Sequence, residues 1–380
     1  YDQRKSYVTN LLNQDGIKVV HTLDEITYKP ESLYIYSSAI PIESDRFEDF
    51  YDKENVLSRP EYLKNLSENQ KIIGITGTHG KTSTTALLSH IFHFNNVNVS
   101  YLYGGITTFN GIGGHYGDPD QPLILETDEA FNTFEKIKIS DLLVLNVDSD
   151  HLDYFKNLDN YKDAFYKVMK NVTDNLVINN DDLNIKTMKE LKNPVSYGKD
   201  IAADFKVQSP GTFIYENNKY EIKSDIIGDH FKSNMLGAII LALLNGIEIK
   251  DSLNAIESFA GVKRRIELIG ISKGVLIYDD YGHHPTEMEA TITALKQQTE
   301  SKLYVVFQPH RYTRTMEYFN SFKDSLKLAD FAIVTDIYPA GESPIPGISS
   351  KNFEEESIKY LKSIRYVPEY LSKKVQNGDI

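Results

Sequence analysis

The chain has 380 residues, 41% hydrophobic and 25% charged, with 41 Lys and Arg against 54 Asp and Glu for a formal net charge of −13. Two or three domains of about 150 residues fit that length, and the apolar run from Met235 to Ile247 is shorter than the ~20 residues that cross a bilayer. The lack of cysteine excludes disulfides, thiolate metal sites, iron–sulfur clusters and cysteine nucleophiles, and the acidic balance argues against broad nucleic-acid binding.

Residues 1–66 hold one strand candidate, 32–37, among helical and polar stretches. They lead into the polar segment 64–70, expected as a linker behind a small α/β domain. From Lys71 onward, short apolar runs alternate with helical patterns. Strands are predicted at 71–76, 97–102, 122–126, 142–147 and 175–179, and helices at 82–94 and 160–171. Such alternation predicts a mostly parallel sheet covered by helices. Residues 205–222 read as a hairpin around Glu216-Asn217-Asn218, and 234–245 as a buried helix. After Gly261-Val262-Lys263-Arg264-Arg265 the alternation restarts with strands at 274–279, 303–308 and 331–336. Three domains are expected, at 1–66, 67–262 and 263–380.

The most informative stretch follows the first of the central strands. Gly77-Thr78-His79-Gly80-Lys81-Thr82 is a Gly-rich turn ending in Lys-Thr at the start of a helix. Glycines let backbone N–H groups close around phosphate oxygens, the helix N-terminus adds its dipole, Lys81 supplies a cation and Thr82 a Mg²⁺ ligand. Ile75 stands where the usual G-x-x-x-x-G-K-[ST] spacing has its first glycine, so this is a shortened variant with Gly74 and Gly77. Alone, it leaves many nucleoside triphosphatases open.

Two acidic groups follow later strands: Glu126-Thr127-Asp128-Glu129, then Asp148-Ser149-Asp150-His151. Carboxylates and an imidazole at neighbouring strand tips, beside a phosphate loop, suit hard cations that bridge phosphate oxygens. The same charges could simply solvate strand ends. Asp279-Asp280-Tyr281-Gly282-His283-His284-Pro285-Thr286-Glu287 ends another strand. Adjacent histidines on an extended chain face opposite ways, which favours substrate hydrogen bonding over one shared ion. In Gln308-Pro309-His310-Arg311-Tyr312-Thr313-Arg314-Thr315, Arg311 and Arg314 would share a face if a helix begins there. Two guanidiniums suit a bidentate grip on carboxylate or phosphate. Both segments could also be plain surface loops.

Taken together with Asp150-His151-Leu152-Asp153, these motifs, in this order, resemble the Mur ligases, and the last two resemble the branch that uses L-alanine. Ser37-Ser38-Ala39-Ile40 and Ala340-Gly341-Glu342-Ser343-Pro344-Ile345 are similar to further family segments. The resemblance covers nearly the whole chain. It implies an α/β architecture of three domains: a Rossmann-like N-terminal domain for the UDP substrate, a central P-loop ATPase and a Rossmann-like C-terminal domain that closes over ATP with the amino acid. It implies ATP-dependent joining of L-alanine to the lactyl carboxylate of UDP-N-acetylmuramate through an acyl phosphate, with ATP and Mg²⁺ as cofactors. Cytoplasmic location, a monomer or homodimer, and neither nucleic-acid binding nor membrane insertion are the matching expectations.

By the same resemblance, Gly77, Thr78, His79, Gly80, Lys81, Thr82 and Ser83 line the ATP phosphates, with His230 and Asn234 near adenine and Arg264 or Arg265 near the γ-phosphate. Thr82 and Glu126 would hold one Mg²⁺, and Glu126 with His151 a second. Ser37, Ser38, Glu126, Asp128 and Glu129 fall on the sugar-nucleotide side, and Tyr281, His283, His310, Arg311 and Arg314 on the alanine and product side. Lys81, His151, His283, Arg311 and Arg314 are the expected catalytic set; whether His283 positions the amine or takes its proton stays open. Departures from the family pattern are Ala130-Phe131, where a serine and an aspartate are usual, and Phe231 in place of an asparagine beside adenine. The family's opening strand and Gly-rich loop have no counterpart here. With Tyr1 in place of Met and no secretory signal at the start, a longer gene product is expected. A murein peptide ligase, a γ-glutamyl ligase, a P-loop GTPase and an ATP-binding regulatory protein without ligase activity remain as alternatives. Of these, the first is disfavoured by His310 to Arg314 and the second by the double histidine.

Overall fold

The structure is a computed structural model that describes residues 1–37, 40, 42–107, 109, 111–149, 152–188, 191 and 193–380. Its contacts divide the chain into two compact units, Tyr1–Lys223 with Asn234–Ala260, and Ser224–Ser233 with Gly261–Ile380.

The first unit opens with helix α1 (Tyr7–Gln14) and a small parallel pair of strands, β1 (Tyr34–Tyr36) and β2 (Val56–Ser58). Helix α2 (Arg59–Asn69) follows at once. The Ser58 side chain accepts from Glu61 N, the Glu61 carboxylate accepts from Ser58 N at 2.8 Å, and Pro60 sits in the first turn. That capping box starts the helix and carries it through most of the segment read above as a linker, which is thereby corrected.

The rest of this unit is one large sheet. Its strands are β3 (Ile72–Thr76), β4 (Ser100–Thr107), β5 (Gly111–His115), β6 (Leu123–Glu126), β7 (Asp141–Val144), β8 (Asn175–Asn179), β9 (Val195–Gly198), β10 (Phe205–Ser209), β11 (Thr212–Tyr215) and β12 (Asn218–Glu221). Helix α3 (Lys81–Phe94) links β3 to β4, α4 (Leu152–Phe155) and α5 (Leu158–Lys170) link β7 to β8, and α6 (Leu183–Lys186) precedes β9. The strand order is β12-β11-β10-β9-β8-β7-β3-β6-β4-β5. Every pair from β4 to β10 is parallel, while β5 at one edge and β11 and β12 at the other run antiparallel to their neighbours.

Each residue of β3 is buried, as both faces of a parallel strand are covered. On one face α5 buries Tyr161, Ala164, Phe165, Val168 and Met169, the stripe of a helix lying on a sheet. Phe165 meets Phe134 edge-on at 5.2 Å within that core. The chain turns between β11 and β12 on Glu216 and Asn217, both at positive φ (48° and 64°), as tight hairpins require. Strand β5 carries no sequence signal because three of its five residues are glycine. Gly113 is needed there, since any Cβ would collide with the Tyr103 carbonyl. Helices α7 (Asp229–Leu244) and α8 (Ile249–Glu257) complete the larger elements, and Met235 to Ala242 of α7 lie in the first unit, with all but Gly237 among its buried hydrophobic residues.

The second unit pairs β13 (Glu267–Ser272) and β14 (Val275–Asp279) as an antiparallel hairpin. After α9 (Pro285–Lys296) come β15 (Tyr304–Phe307), α10 (Tyr312–Glu317), α11 (Phe319–Leu326), β16 (Phe331–Val334), β17 (Ile358–Tyr360) and α12 (Val367–Leu371). Strands β15, β16 and β17 form a parallel sheet in sequential order. The last residues bridge hairpin and sheet, as Leu276 N donates to Asp379 O and Tyr304 N to Ile380 O. Among the described residues no helix is long and apolar enough to cross a membrane.

Candidate active site

In the large sheet β3 is flanked by β6 on one side and β7 on the other, yet the chain leaving β3 goes to β4, beyond β6. The carboxyl ends of β3, β6 and β7 therefore surround a topological switch point, where open α/β sheets place ligands. Residues 77–82, 126–129 and 145–148 leave those three strand ends.

The loop after β3 depends on two glycines. Gly77 has φ 144°, and a Cβ there would press on the Asn146 backbone at 3.1 Å. Gly80 has φ 87°, and a Cβ there would run into the Asn234 side chain. Helix α3 starts after Gly80, which provides no side-chain cap, and an uncapped helix N-terminus is suited to an anion. Asn146, just past β7, grips the loop twice: its Oδ1 accepts from His79 N at 2.8 Å and its Nδ2 donates to His79 O at 2.9 Å.

Lys81 folds over this loop. Its Nζ donates to Gly77 O at 2.6 Å and Thr78 O at 3.1 Å, and lies 3.0 and 2.9 Å from the two carboxylate oxygens of Glu129. Burial alone would depress the lysine pKa, but the carboxylates of Glu129, Asp128 and Glu126 outweigh it and hold the ammonium above its ordinary value. Thr78 Oγ1 accepts from Asp148 N at 2.8 Å and lies 3.1 Å from the hydroxyl of Tyr161, which donates to Glu129 at 3.3 Å. His79 Nε2 stands 3.3 Å from Asp148 Oδ2. Tyr161 is fully buried, and it ties the loop to the carboxylate that holds Lys81.

Thr82 Oγ1 donates to Glu126 Oε1 at 2.8 Å, and Glu126 Oε2 accepts from Gly104 N at 2.7 Å. A hydroxyl and a carboxylate meeting at one point are a hard-oxygen donor set that fits Mg²⁺. Asp128 turns to its own loop and accepts from Ala130 N at 3.0 Å. Ser83 is buried in α3, and Ser37 is exposed just after β1. Ser38 and His151 lie outside the described residues.

In the second unit, Arg264 and Arg265 stack on Tyr281, their guanidinium carbons 4.7 and 5.5 Å from its ring centre. The Asp280 carboxylate accepts from Ile266 N at 2.9 Å and Gly282 N at 2.7 Å, knitting the two arginine-bearing and tyrosine-bearing loops together. The adjacent histidines separate in role. His284 is buried and begins α9 in a capping box with Glu287, whereas His283 sets its Nδ1 3.1 Å from Tyr281 O and its ring 5.3 Å from that of Tyr281. His310 lies 6.3 Å from His283, ring to ring, and stacks on Tyr338 at 5.5 Å. Burial, then the charges of Arg314, His283 and Arg311, keeps the His310 pKa below its usual value. His230, in the first turn of α7, is likewise depressed by burial.

Arg314 belongs to α10, but Arg311 does not. Arg311 precedes the helix at φ 71°, so the expected i, i+3 helical pairing is corrected to a helical Arg314 and an Arg311 in a left-handed turn. The sequence motifs do not mark Asn146 or Tyr161 as site residues, and they include Glu342 only as part of the segment 340–345. A polar residue just beyond a buried strand could have flagged Asn146; Tyr161 falls on the apolar stripe of α5, where a core reading is the default.

Residues 75–242 match the family model described as Mur ligase middle domain, and residues 264–380 that described as Mur ligase, glutamate ligase domain. The UDP-N-acetylmuramate–L-alanine ligase of Dictyoglomus turgidum is 35% identical over 372 residues, covering 93% of this chain and 79% of that protein. Among solved structures, the UDP-N-acetylmuramate-alanine ligase from Thermotoga maritima superposes with a TM-score of 0.79 at 23% identity, covering 99% of this chain and 86% of the other. The MurF ligase from Thermotoga maritima, in complex with ADP, gives a TM-score of 0.67 at 19% identity, covering 93% and 92%. At those identities the two structures speak for the fold.

Proposed function

The chain belongs to the Mur ligase family, and on that premise we propose that it uses ATP to join L-alanine to the lactyl carboxylate of UDP-N-acetylmuramate, a step of peptidoglycan precursor synthesis. The observation that carries this reading is the relative of that name, 35% identical over 93% of the chain. The loop after β3 supports it, with Lys81 held by Glu129 and Thr82 bonded to Glu126. Location in the cytoplasm, where ATP is at hand, belongs to the same proposal, as does action as a monomer or homodimer.

A carboxylate is a poor electrophile because it is already negative, so it must be activated before an amine can attack. Attack of the lactyl carboxylate on the γ-phosphate gives an acyl phosphate and ADP. Two anions meet in that step, and the protein's task is to align them and screen their repulsion. Lys81 does so by exchanging Glu129 for phosphate oxygens, and Arg264 or Arg265 adds a second cation. Thr82 and Glu126 would hold one Mg²⁺ and Glu126 with His151 a second, and the bound cations would supply positive charge against the phosphate oxygens. The neutral amine of L-alanine then attacks the acyl carbon, and the tetrahedral intermediate expels phosphate. Tyr281, His283, Arg311 and Arg314 orient the alanine, and an imidazole such as His283 can take the amine's proton.

The test is to incubate the full-length protein with ATP, Mg²⁺, UDP-N-acetylmuramate and either L-alanine or a murein tripeptide, and to weigh the product. Gain of one alanine residue with matching phosphate release is the expected result. Product with tripeptide alone would move the chain to the murein peptide ligases. ATP binding without product from any acceptor would leave a regulatory protein.

A further inference from the structure

We propose that Glu342 is a positioning residue for the reaction, acting through Arg311: it fixes the plane of the guanidinium that receives the carboxylate of the amino-acid substrate. The inference rests on the reading above that Arg311 orients alanine.

Glu342 lies in the segment after β16, 31 residues beyond Arg311. Its carboxylate accepts hydrogen bonds from Arg311 and Thr313 at the start of α10. Arg311 Nε donates to Oε1 at 2.6 Å, Thr313 Oγ1 donates to the same oxygen at 2.7 Å, and Thr313 N donates to Oε2 at 3.1 Å. The last of these is an orphan amide of the helix's first turn. Arg311 stands at the cap position and makes no side-chain cap hydrogen bond, so Glu342 supplies from another segment what a capping serine or aspartate supplies locally.

The backbone beneath this pair is held just as tightly. Arg311 N donates to Tyr338 O at 2.8 Å and Tyr338 N to Pro309 O at 2.7 Å, zipping the two segments together. Arg311 itself sits at φ 71°, a left-handed conformation that costs a non-glycine residue energy and persists only where its surroundings over-determine it. A strained backbone, a carboxylate on Nε and a second strand of contacts together leave the arginine little freedom. That is what a guanidinium needs in order to meet a small α-carboxylate in one orientation, where a flexible cation would lose affinity to disorder. Burial would raise the Glu342 pKa, but the hydrogen bonds from Thr313 and Arg311 and the arginine's charge outweigh it and pull it down to about 2.

The experiment measures kcat and separate KM values for L-alanine, ATP and UDP-N-acetylmuramate in the full-length protein, with a melting curve for every variant. Glu342→Gln keeps the shape and removes the charge. It should raise the alanine KM about tenfold or more while the KM values for ATP and sugar nucleotide stay within about twofold. Arg311→Lys keeps a cation but loses the oriented fork, and should show the same selective defect. Adding Glu342→Gln to Arg311→Lys should add little. A purely structural Glu342 would shift the melting curve and all three KM values together, which overturns the inference. Full alanine affinity in Glu342→Gln beside a defective Arg311→Lys overturns it too, and leaves the Arg311 reading standing. Full alanine affinity in Arg311→Lys and Arg311→Ala would remove that reading and the inference with it. Should Glu342→Gln fail to fold, Thr313→Val serves instead: it removes one hydrogen bond but no charge, and a defect as large as that of Arg311→Lys would show that Glu342 acts on the helix start and not on the arginine.

Discussion

Lys81 shares its ammonium between two loop carbonyls and both oxygens of Glu129, so a substitution there has two separable consequences. On the proposed role of Lys81 at the γ-phosphate, Lys81→Ala should lower kcat by about 10²–10³, the scale for one group that stabilises transition-state charge. Loss of the cation beside Glu129 leaves a carboxylate only 1% exposed without its lysine, and breaking a buried pair in this way typically costs about 3–5 kcal/mol. The double variant Lys81→Ala, Glu129→Gln should therefore recover much of the stability in urea titration and none of the turnover. Near-normal turnover in Lys81→Ala would remove the lysine from the reaction. The lysine was legible because its neighbours in sequence define its chemistry, whereas the partner that holds it in this structure lies 48 residues away.

At the scale of elements, α2 shows how a local signal can be present and still be passed over. Residues 64–70 are polar, and the helix buries only Pro60, Leu63 and Ser67, so periodicity says little. What starts the helix is the pair Ser58 and Glu61, each satisfying the other's backbone amide. Ser58→Ala should lower stability by about 0.5–2 kcal/mol, the usual cost of losing such a cap, read as a lower denaturant midpoint at unchanged slope. No change would mean that packing alone holds α2. Strands β5 and β13 failed to register for opposite reasons. Glycines strip β5 of any pattern, and β13 holds isoleucines and a leucine that remain largely exposed, so neither shows the alternation of a half-buried strand.

For the whole molecule, the phosphate loop is built into the middle of the large sheet, so nucleotide binding should be felt as stability. With ATP and Mg²⁺ at about 100 times the dissociation constant, the gain is about 2.7 kcal/mol; Glu126→Gln should lose the part of that thermal shift that depends on Mg²⁺, and an unaltered Mg²⁺ titration would take Glu126 out of the metal site. The residue pattern alone is enough to place a Gly-rich turn ending in Lys81-Thr82 between a strand and a helix, within alternating β and α elements. It also determined which acidic, histidine and arginine motifs follow later strands, because glycine conformation, helix dipoles and strand ends act over a few residues. The partners that hold those groups in place emerge from the folded chain: Asn146 on the loop 67 residues before it, Tyr161 on Thr78 at a separation of 83, and Glu342 on Arg311 at 31. Hydrogen bonds between residues so far apart depend on which strands become neighbours and in what register, and no local pattern encodes a polar side chain's distant partner.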